Sequence, residues 1–296
     1  RFFDELAKEF GGAIITASKE PELVARRRIG EFDYRCQRYR GSFAGRLSFF
    51  FFSVLQCVLW RIRGRKFSLV VTYDPLTTGV IGTVCAPIVG GRLLPEVNGV
   101  YTSPAQFMED PDSFSTRVRR YAFPRMEAWV LRRATAVKLL FPAQVAPFQR
   151  LLAGKPVAVF PNRVNIKRFL SCRPAPDSRQ LLFVGFPFYT KGVDILIEAF
   201  KRVSDDFPDW QLKILGWYPD PTTLNGAIAN HPRIFHHPPV YHEEMPAQFE
   251  ESGIFVLPSR SEAMGRSLVE AMAAGRPRIG ARVEGIPTVI NDNVDG

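Results

Sequence analysis

The chain has 296 residues, of which 46% are hydrophobic and 23% charged. This composition is typical of a globular protein, and the length favours about two domains. Four cysteines without a C-x-x-C pair argue against a disulfide framework or a zinc cluster, and they suit a reducing compartment. The chain starts at Arg1 and stops at Gly296 in a loop-like stretch, so we expect a fragment that lacks both ends.

The net charge of +10 is unevenly distributed along the chain. Residues 1–170 contain 27 Lys and Arg against 13 Asp and Glu, whereas residues 171–296 contain 12 against 16. A basic first half suggests contact with an anionic surface or substrate, and nucleic acid and anionic lipid headgroups both qualify. A charge excess spread over a solvated surface is the alternative. No RNA- or DNA-binding motif appears, so we expect no nucleic-acid partner.

Along the first half, apolar strands alternate with amphipathic helices. Strands are predicted at 13–16, 68–73, 135–140 and 157–160, with a helix-like segment at 141–155. The polar, proline-containing stretch 171–179 is typical of a linker. We therefore place an N-terminal domain at 1–170 and a C-terminal domain at 171–296.

One segment of the first domain has membrane-like composition. Leu47–Trp60 is a nearly apolar run of 14 residues, with Arg46 before it and the basic stretch 61–66 after it. The run is shorter than the roughly 20 residues that a spanning helix needs. Two interpretations stay open: a buried core helix, or an interfacial helix whose basic flank meets an anionic membrane.

The second domain has a cleaner pattern. Apolar strands are predicted at 181–184, 212–216 and 254–257, and a helix at 265–274 is stopped by Gly275 and Pro277. One helix face is predicted from the spacing of Val193, Leu196, Ile197 and Phe200. Strands that are apolar on both faces and spaced by helices indicate parallel sheets covered on both sides. We predict two doubly wound α/β domains, with ligands beyond the carboxyl ends of the strands.

The strongest chemical pattern follows the strand at 254–257. Glu262 lies in the turn, a helix begins near Gly265, and Glu270 lies about a turn and a half into that helix. Unpaired amides at a helix start suit a phosphate, and two carboxylates near one crevice suit the hydroxyls of a sugar and a ribose. The alternative is that Glu262 caps the helix and Glu270 is solvated.

A second loop, Gly185–Gly192, follows the strand at 181–184. A glycine ends the strand, and Lys191 and Gly192 open the next helix, so Lys191 is placed to neutralise a phosphate. The loop contains neither G-x-x-x-x-G-K-[ST] nor G-x-G-x-x-G, so it is not a Walker or dinucleotide loop.

These segments resemble retaining glycosyltransferase family 4, the glycosyl transferases group 1, which has the GT-B fold. Residues 181–200 are similar to its strand–glycine–lysine–helix entry, and residues 254–285 resemble its E-x7-E signature, with Glu262 and Glu270 at that spacing. Residues 159–165 resemble the crossing into the second domain. The resemblance implies two Rossmann-like domains with a cleft between them.

The resemblance implies a role for each matching residue. Glu262 would contact the donor sugar, and Lys191 would pair with the diphosphate and help the nucleotide leave. Glu270 would bind the ribose, and Gly185 would let the backbone pass close to the donor. The start of the helix would face the donor phosphate through Gly265, Arg266, Ser267 and Leu268. The family retains anomeric configuration and usually needs no metal, so no cofactor is expected besides the nucleotide sugar as co-substrate.

This chain departs from the family pattern in three ways. Phe186 and Pro187 stand where the family often has a phosphate-binding arginine, for which Arg266 is a candidate substitute. No histidine precedes His231, so the family's first-domain histidine is absent, and Asn98 is the candidate for that acceptor-side role. The family's glycine-rich first loop and last helices are expected outside this chain.

We therefore predict a retaining hexosyltransferase that moves a sugar from a nucleotide-diphosphate sugar to a sugar or lipid-linked acceptor, in polysaccharide or glycolipid synthesis. The expected location is cytoplasmic, with peripheral contact at the anionic membrane face. A non-catalytic nucleotide-sugar-binding homologue and a GT-B phosphorylase-like enzyme are the alternatives.

Three metal-like patterns are interpreted as ordinary structure. Asp110 and Asp112 form a D-x-D in a polar loop without a preceding strand, which predicts a solvated turn. The histidines between 231 and 242 match no zinc spacing. Residues 291–296 begin like a calcium loop, yet the chain ends before its twelfth position. No metal site is predicted.

Overall fold

The computed structural model describes residues 6, 8–39, 41, 43–173 and 175–296. Backbone contacts divide the chain into two compact units. The first unit comprises Arg1–Val97, Met126–Lys138 and Leu151–Val157, and the second comprises Asn98–Arg125, Leu139–Arg150 and Ala158–Gly296. The domain boundary at 170/171 stays a prediction, because compact packing units need not coincide with domains.

A small mixed sheet opens the chain. Its strands are β1 (Gly12–Ser18), β2 (Arg26–Ile29) and β3 (Phe32–Arg38), in the order β1-β3-β2. β1 pairs with β3 in parallel, whereas β2 pairs with β3 antiparallel through a two-residue turn in which Gly30 has φ +53°. The antiparallel strand departs from the predicted all-parallel pattern. β2 is an edge strand with three exposed arginines, a composition that tolerates solvent and discourages further pairing.

A second sheet has the order β4-β5-β6-β7, and β4 and β5 are parallel. Its strands are β4 (Leu69–Thr72), β5 (Arg92–Val97), β6 (Val137–Leu139) and β7 (Val157–Val159). The associated helices are α1 (Phe43–Ile62), α2 (Thr77–Val89), α3 (Phe114–Arg133) and α4 (Gln149–Leu152). The predicted helix-like segment 141–155 contains a 3₁₀ helix at Pro142–Phe148, with Pro147 inside it, followed by the short α4.

The third sheet lies wholly in the second unit and has the order β10-β9-β8-β11-β12, with parallel pairing throughout the described register. Its strands are β8 (Gln180–Val184), β9 (Gln211–Leu215), β10 (Ile234–His237), β11 (Ile254–Leu257) and β12 (Arg278–Gly280). Its helices are α5 (Val193–Val203), α6 (Thr222–Ile228), α7 (Met245–Glu251) and α8 (Arg266–Ala273). The four residues predicted as the inward face of α5 are its buried residues, as expected.

This third sheet carries a topological switch point between β8 and β11. The chain leaves β8 toward β9 and β10 on one side, then returns to β11 and β12 on the other. Loops at such a point separate and leave a crevice at the carboxyl ends of the strands. The loops after β8 and β11 are those that the sequence predicts to carry the chemistry.

Candidate functional site

The loops after β8 and β11 are joined by direct backbone contact. Gly192 has φ +69°, and a Cβ atom there would lie 2.0 Å from the carbonyl oxygen of Pro258. The amide of Arg260 donates to the carbonyl of Thr190 at 2.9 Å. Only glycine allows both the left-handed conformation and this approach, so Gly192 sets the distance between the two loops.

Arg260 adds a side-chain connection that the sequence reasoning missed. Its guanidinium donates to both carboxylate oxygens of Asp194 at 2.7 Å each, and to the carbonyl of Tyr189 at 2.7 Å. The hydrogen bonds to Asp194 raise the pKa of Arg260. A bidentate, charge-assisted contact of this kind holds the two side chains in a fixed orientation. The only signal in the sequence is an arginine two residues before Glu262.

The two predicted catalytic residues meet in this crevice. The Nζ atom of Lys191 lies 2.5 Å from Oε2 of Glu262, and their side chains are 21% and 14% exposed. Ser259 donates a longer hydrogen bond of 3.5 Å to the same oxygen. Glu262 therefore does not cap α8. It forms an ion pair with Lys191, for which the family resemblance implies a place at the donor diphosphate.

The start of α8 lies in the same loop. Gly265 has φ +69°, and a Cβ there would lie 2.8 Å from Cδ1 of Leu268. Leu268 is fully buried, and its amide donates to the carbonyl of Gly265. Amides in the first turn of a helix lack partners within the helix, so those of Arg266 and Ser267 form a small electropositive end at the crevice.

Glu270 is 7% exposed and therefore is not the solvated residue of the alternative interpretation. Burial raises its pKa, while the charges of Arg266 and Arg168 act in the opposite direction. His242 lies beside it, with Nδ1 4.0 Å from Oε1 of Glu270. A buried carboxylate with a histidine and two arginines nearby is suited to accept hydrogen bonds from the hydroxyls of a ligand that displaces water.

In the loop after β8, the aromatic residue Phe186 stands where the family often has an arginine. A Cβ atom at Gly185 would lie 3.0 Å from Cζ of Phe183, so the glycine leaves room for that ring, and it would lie 3.4 Å from Cγ of Lys191. Phe186 follows, 42% exposed, and packs 5.3 Å from the ring of Trp217. Arg266, the candidate substitute, is exposed at the start of α8 and contributes charge near Glu270.

Asn98 lies in the second unit, where Nδ2 of Asn162 donates to its Oδ1 at 3.0 Å. The nearby amide of Gln144 donates to the carbonyl of Gly99 at 3.1 Å. The following segment reaches the crevice, because Nε2 of Gln106 lies 3.4 Å from Oγ of Ser261. The acceptor-side role of Asn98 stays a prediction.

The structure shows where the residues of the metal-like patterns lie. Asp110 and Asp112 lie in an exposed turn, as the sequence predicts. Residues 291–295 form a turn in which Asp295 accepts from the amide of Asn291. Across the described part of the chain, no group of three or more His, Cys, Asp or Glu side chains is close enough to hold a metal ion.

Comparison with known proteins shows what the part of the chain that carries this site is similar to. Residues 171–296 match the family model described as Glycosyl transferases group 1. The parallel α/β sheets and the solved structures they resemble define the class: the chain has the GT-B fold, and its residues 171–296 are similar to the group 1 glycosyltransferases. The predicted fold and family resemblance are thereby confirmed.

Individual relatives share smaller parts of the sequence. The D-inositol 3-phosphate glycosyltransferase of Xylanimonas cellulosilytica is 31% identical over 127 residues, 40% of this chain and 30% of that protein. The 2-deoxystreptamine glucosyltransferase of Streptomyces kanamyceticus is 26% identical over 245 residues, 76% of this chain and 62% of that protein. The chain thus spans less than two thirds of these relatives.

A solved structure extends the likeness of fold to most of the chain. Sucrose-phosphate synthase from Thermosynechococcus elongatus superposes with a TM-score of 0.74 at 18% identity, covering 96% of this chain and 74% of that one. At this level of identity the likeness concerns the fold.

Proposed function

We propose that the protein transfers a sugar from a nucleotide-diphosphate sugar to an acceptor hydroxyl, with retention of anomeric configuration and without a metal or other cofactor. The observation that supports this most is the Lys191–Glu262 pair at the switch point of the third sheet. It brings a cation for a diphosphate and a carboxylate for sugar hydroxyls to one crevice, beside the start of α8.

In this proposal the donor rearranges the pair. The diphosphate competes for Lys191, and the amides at the start of α8 bind a second phosphate oxygen. Glu262 is then released toward the hydroxyls of the donor sugar, while Glu270 accepts from the ribose. The bond between the sugar and the diphosphate breaks as the acceptor oxygen bonds to the same carbon from the same face, and the proton of the acceptor hydroxyl passes to the leaving diphosphate oxygen. Lys191 stabilises the negative charge that accumulates on the diphosphate.

Phe186 supports a second candidate, a homologue that binds nucleotide sugars without turning them over. It occupies the place of a phosphate cation, so the leaving group has one positive charge fewer than in the usual family pattern. Turnover separates the two candidates, because both predict that nucleotides bind.

The test is nucleotide release from UDP-, GDP- and ADP-sugars by the full-length protein, with and without EDTA. We expect release with one donor class, unchanged by EDTA and reduced at least about 100-fold in Glu262→Gln, since a group that acts in the transition state contributes several kcal/mol. Asp112→Asn, in the exposed D-x-D turn, is the matched control and should behave as wild type. Binding without release would favour the non-catalytic candidate, and NMR of the product anomer tests retention.

We further propose that the first unit contacts an anionic membrane and that the acceptor is lipid-linked. α1 is a helix of 20 residues, long and apolar enough to cross a membrane by length and composition alone. Its buried residues include Cys57 and Trp60, which pack with Ile81 and Cys85 of α2. A helix attached to the protein along one face is suited to lie in the interface.

The opposite face of α1 carries an outer apolar stripe. Its members are between 46% and 79% exposed: Phe43, Leu47, Phe51, Leu55 and Ile62. With 3.6 residues a turn, they lie on the side of the helix away from Trp60. Exposed basic residues flank the stripe at Arg46, Arg61 and Lys66, which complements anionic headgroups.

Flotation with vesicles of phosphatidylcholine, with and without phosphatidylglycerol, tests this second proposal. Wild type should float with the anionic vesicles, and Phe51→Glu/Leu55→Glu should not. Ile195→Glu, an exposed apolar residue on α5, is the matched control and should float as wild type does. Equal flotation of wild type and the double variant would exclude the outer apolar stripe as the contact.

A further inference from the structure

We propose that Glu284 is a positioning residue that holds the sugar-contacting carboxylate of Glu262 in its working orientation. This inference rests on the proposed function, and it assigns a role to a residue outside the E-x7-E signature. It starts from the turn that carries Glu262. That turn, between β11 and α8, has neither helical nor strand structure, so other contacts must fix its conformation.

The turn after β12 supplies those contacts. The carboxylate of Glu284 accepts a hydrogen bond from the amide of Glu262 at 2.8 Å. The amide of the next residue, Gly285, donates to the carbonyl of Glu262 at 3.0 Å. Both backbone polar groups of Glu262 are therefore held by two adjacent residues. We call residues 284 and 285, with these contacts, the clamp.

The clamp extends to the neighbour of Glu262. The hydroxyl of Ser261 lies 2.9 and 3.1 Å from the two carboxylate oxygens of Glu284, and Ser261 is 3% exposed. Gln106 in turn lies 3.4 Å from that hydroxyl. A carboxylate that accepts from a buried hydroxyl and a backbone amide is held in one orientation, since each bond constrains it in a different direction.

The backbone at the clamp is specialised for this contact. Glu284 has φ +45°, a left-handed conformation that residues other than glycine rarely adopt. At Gly285 a Cβ atom would lie 1.9 Å from the carbonyl oxygen of Ala263. A glutamate persists in an unfavourable conformation only where surrounding contacts outweigh the strain, and such residues concentrate at functional sites. Here the contacts that outweigh it are those to Ser261 and Glu262.

Glu284→Gly relieves the backbone strain and removes the side-chain contacts of the clamp. Because those contacts outweigh the strain, the thermal midpoint should fall slightly. A merely structural residue would weaken the binding of every ligand together. A positioning residue would instead weaken only the contact between Glu262 and the donor sugar.

The experiment compares affinities for a nucleotide sugar and for the matching nucleoside diphosphate in the full-length protein. We expect Glu284→Gly to lower nucleotide-sugar affinity about tenfold while diphosphate affinity changes less than about twofold, since a misplaced contact loses only its own share of binding. Glu262→Ala should show the same pattern, and Glu284→Gln, which keeps one acceptor oxygen, should be intermediate. The matched control is Ala229→Gly, which relieves a φ of +50° at the end of α6 and should leave both affinities unchanged.

The outcomes separate the inference from the proposed function. If Glu262→Ala loses the preference for the nucleotide sugar and Glu284→Gly keeps it, the clamp is not a positioning device. A thermal midpoint that falls together with both affinities would also overturn the inference, because it would make Glu284 structural. If wild type binds no nucleotide, the proposed function fails first and the inference fails with it.

Discussion

Replacing Gly192 with alanine tests the joint between the two site loops. The left-handed conformation at this position costs an alanine roughly 1–2 kcal/mol, partly offset by about 0.4–1 kcal/mol from the reduced entropy of the unfolded chain. The new Cβ would also lie 2.0 Å from the carbonyl oxygen of Pro258. The loops must then move apart by about 1 Å, and overpacking of this kind typically costs a further 1–3 kcal/mol.

Gly275 is a matched control in the same unit. It has φ +68°, and a Cβ there would meet nothing within 4 Å. Gly275→Ala therefore isolates the cost of the backbone conformation, about 1 kcal/mol, whereas Gly192→Ala should lose about 2–4 kcal/mol. Urea unfolding measures both free energies. Because the displacement also separates Lys191 from Glu262, we expect nucleotide affinity to fall at least about tenfold in Gly192→Ala only.

A contradicting result would be that both variants are destabilised equally and that Gly192→Ala binds nucleotide as tightly as wild type. That result would mean that the loops adjust without cost and that their spacing does not define the site.

Three further predictions concern charged groups. Arg260→Lys loses the two parallel hydrogen bonds to Asp194 and should lower the free energy of unfolding in urea by about 1–2 kcal/mol. A variant as stable as wild type would contradict a stabilising role for this contact. Burial raises the pKa of Glu127 to about 7 from its ordinary 4.5, and its Oε1 lacks a partner. Ionising Glu127 costs no stability below pH 4.5 and its full cost above pH 7. The free energy of unfolding of Glu127→Gln should therefore exceed that of wild type by up to about 3 kcal/mol at pH 8 and equal it at pH 4. Equal gains at both pH values would contradict this. Burial also raises the pKa of Glu270. Glu270→Gln should therefore be more stable than wild type at pH 8, with the difference shrinking as the pH falls, while nucleotide affinity decreases; a variant that is less stable at pH 8 would contradict the assigned cause.

The sequence predicted the elements that depend on local pattern. The buried face of α5, the strands β8, β9 and β11, and the helix that begins after Gly265 follow from apolar periodicity and glycine placement, which short-range contacts determine. The spacing of Glu262 and Glu270 placed both carboxylates near the start of α8 for the same reason. These features need no information from distant parts of the chain.

Contacts between distant residues were not predicted. Arg260 and Asp194 are 66 positions apart, and Glu284 lies 22 positions from Glu262. Neither pair belongs to a periodic pattern, so only the folded backbone shows that they meet. The antiparallel strand β2 was not predicted for another reason. Three of its four residues are exposed arginines, so the segment lacks the apolar pattern that indicates a strand. The approach of Gly192 to Pro258 likewise follows from the strand order, which periodicity does not specify.

Calorimetric titration with UDP, GDP and ADP, on wild type and Glu270→Ala, tests the donor site most directly. We predict saturable binding of one nucleotide by wild type and an affinity at least about tenfold lower in the variant, because the lost carboxylate accepts hydrogen bonds that water in a buried pocket replaces poorly. Binding of equal strength in both proteins would contradict the placement of the ribose at Glu270. Binding of none of the three by the folded full-length protein would contradict a donor site in this crevice.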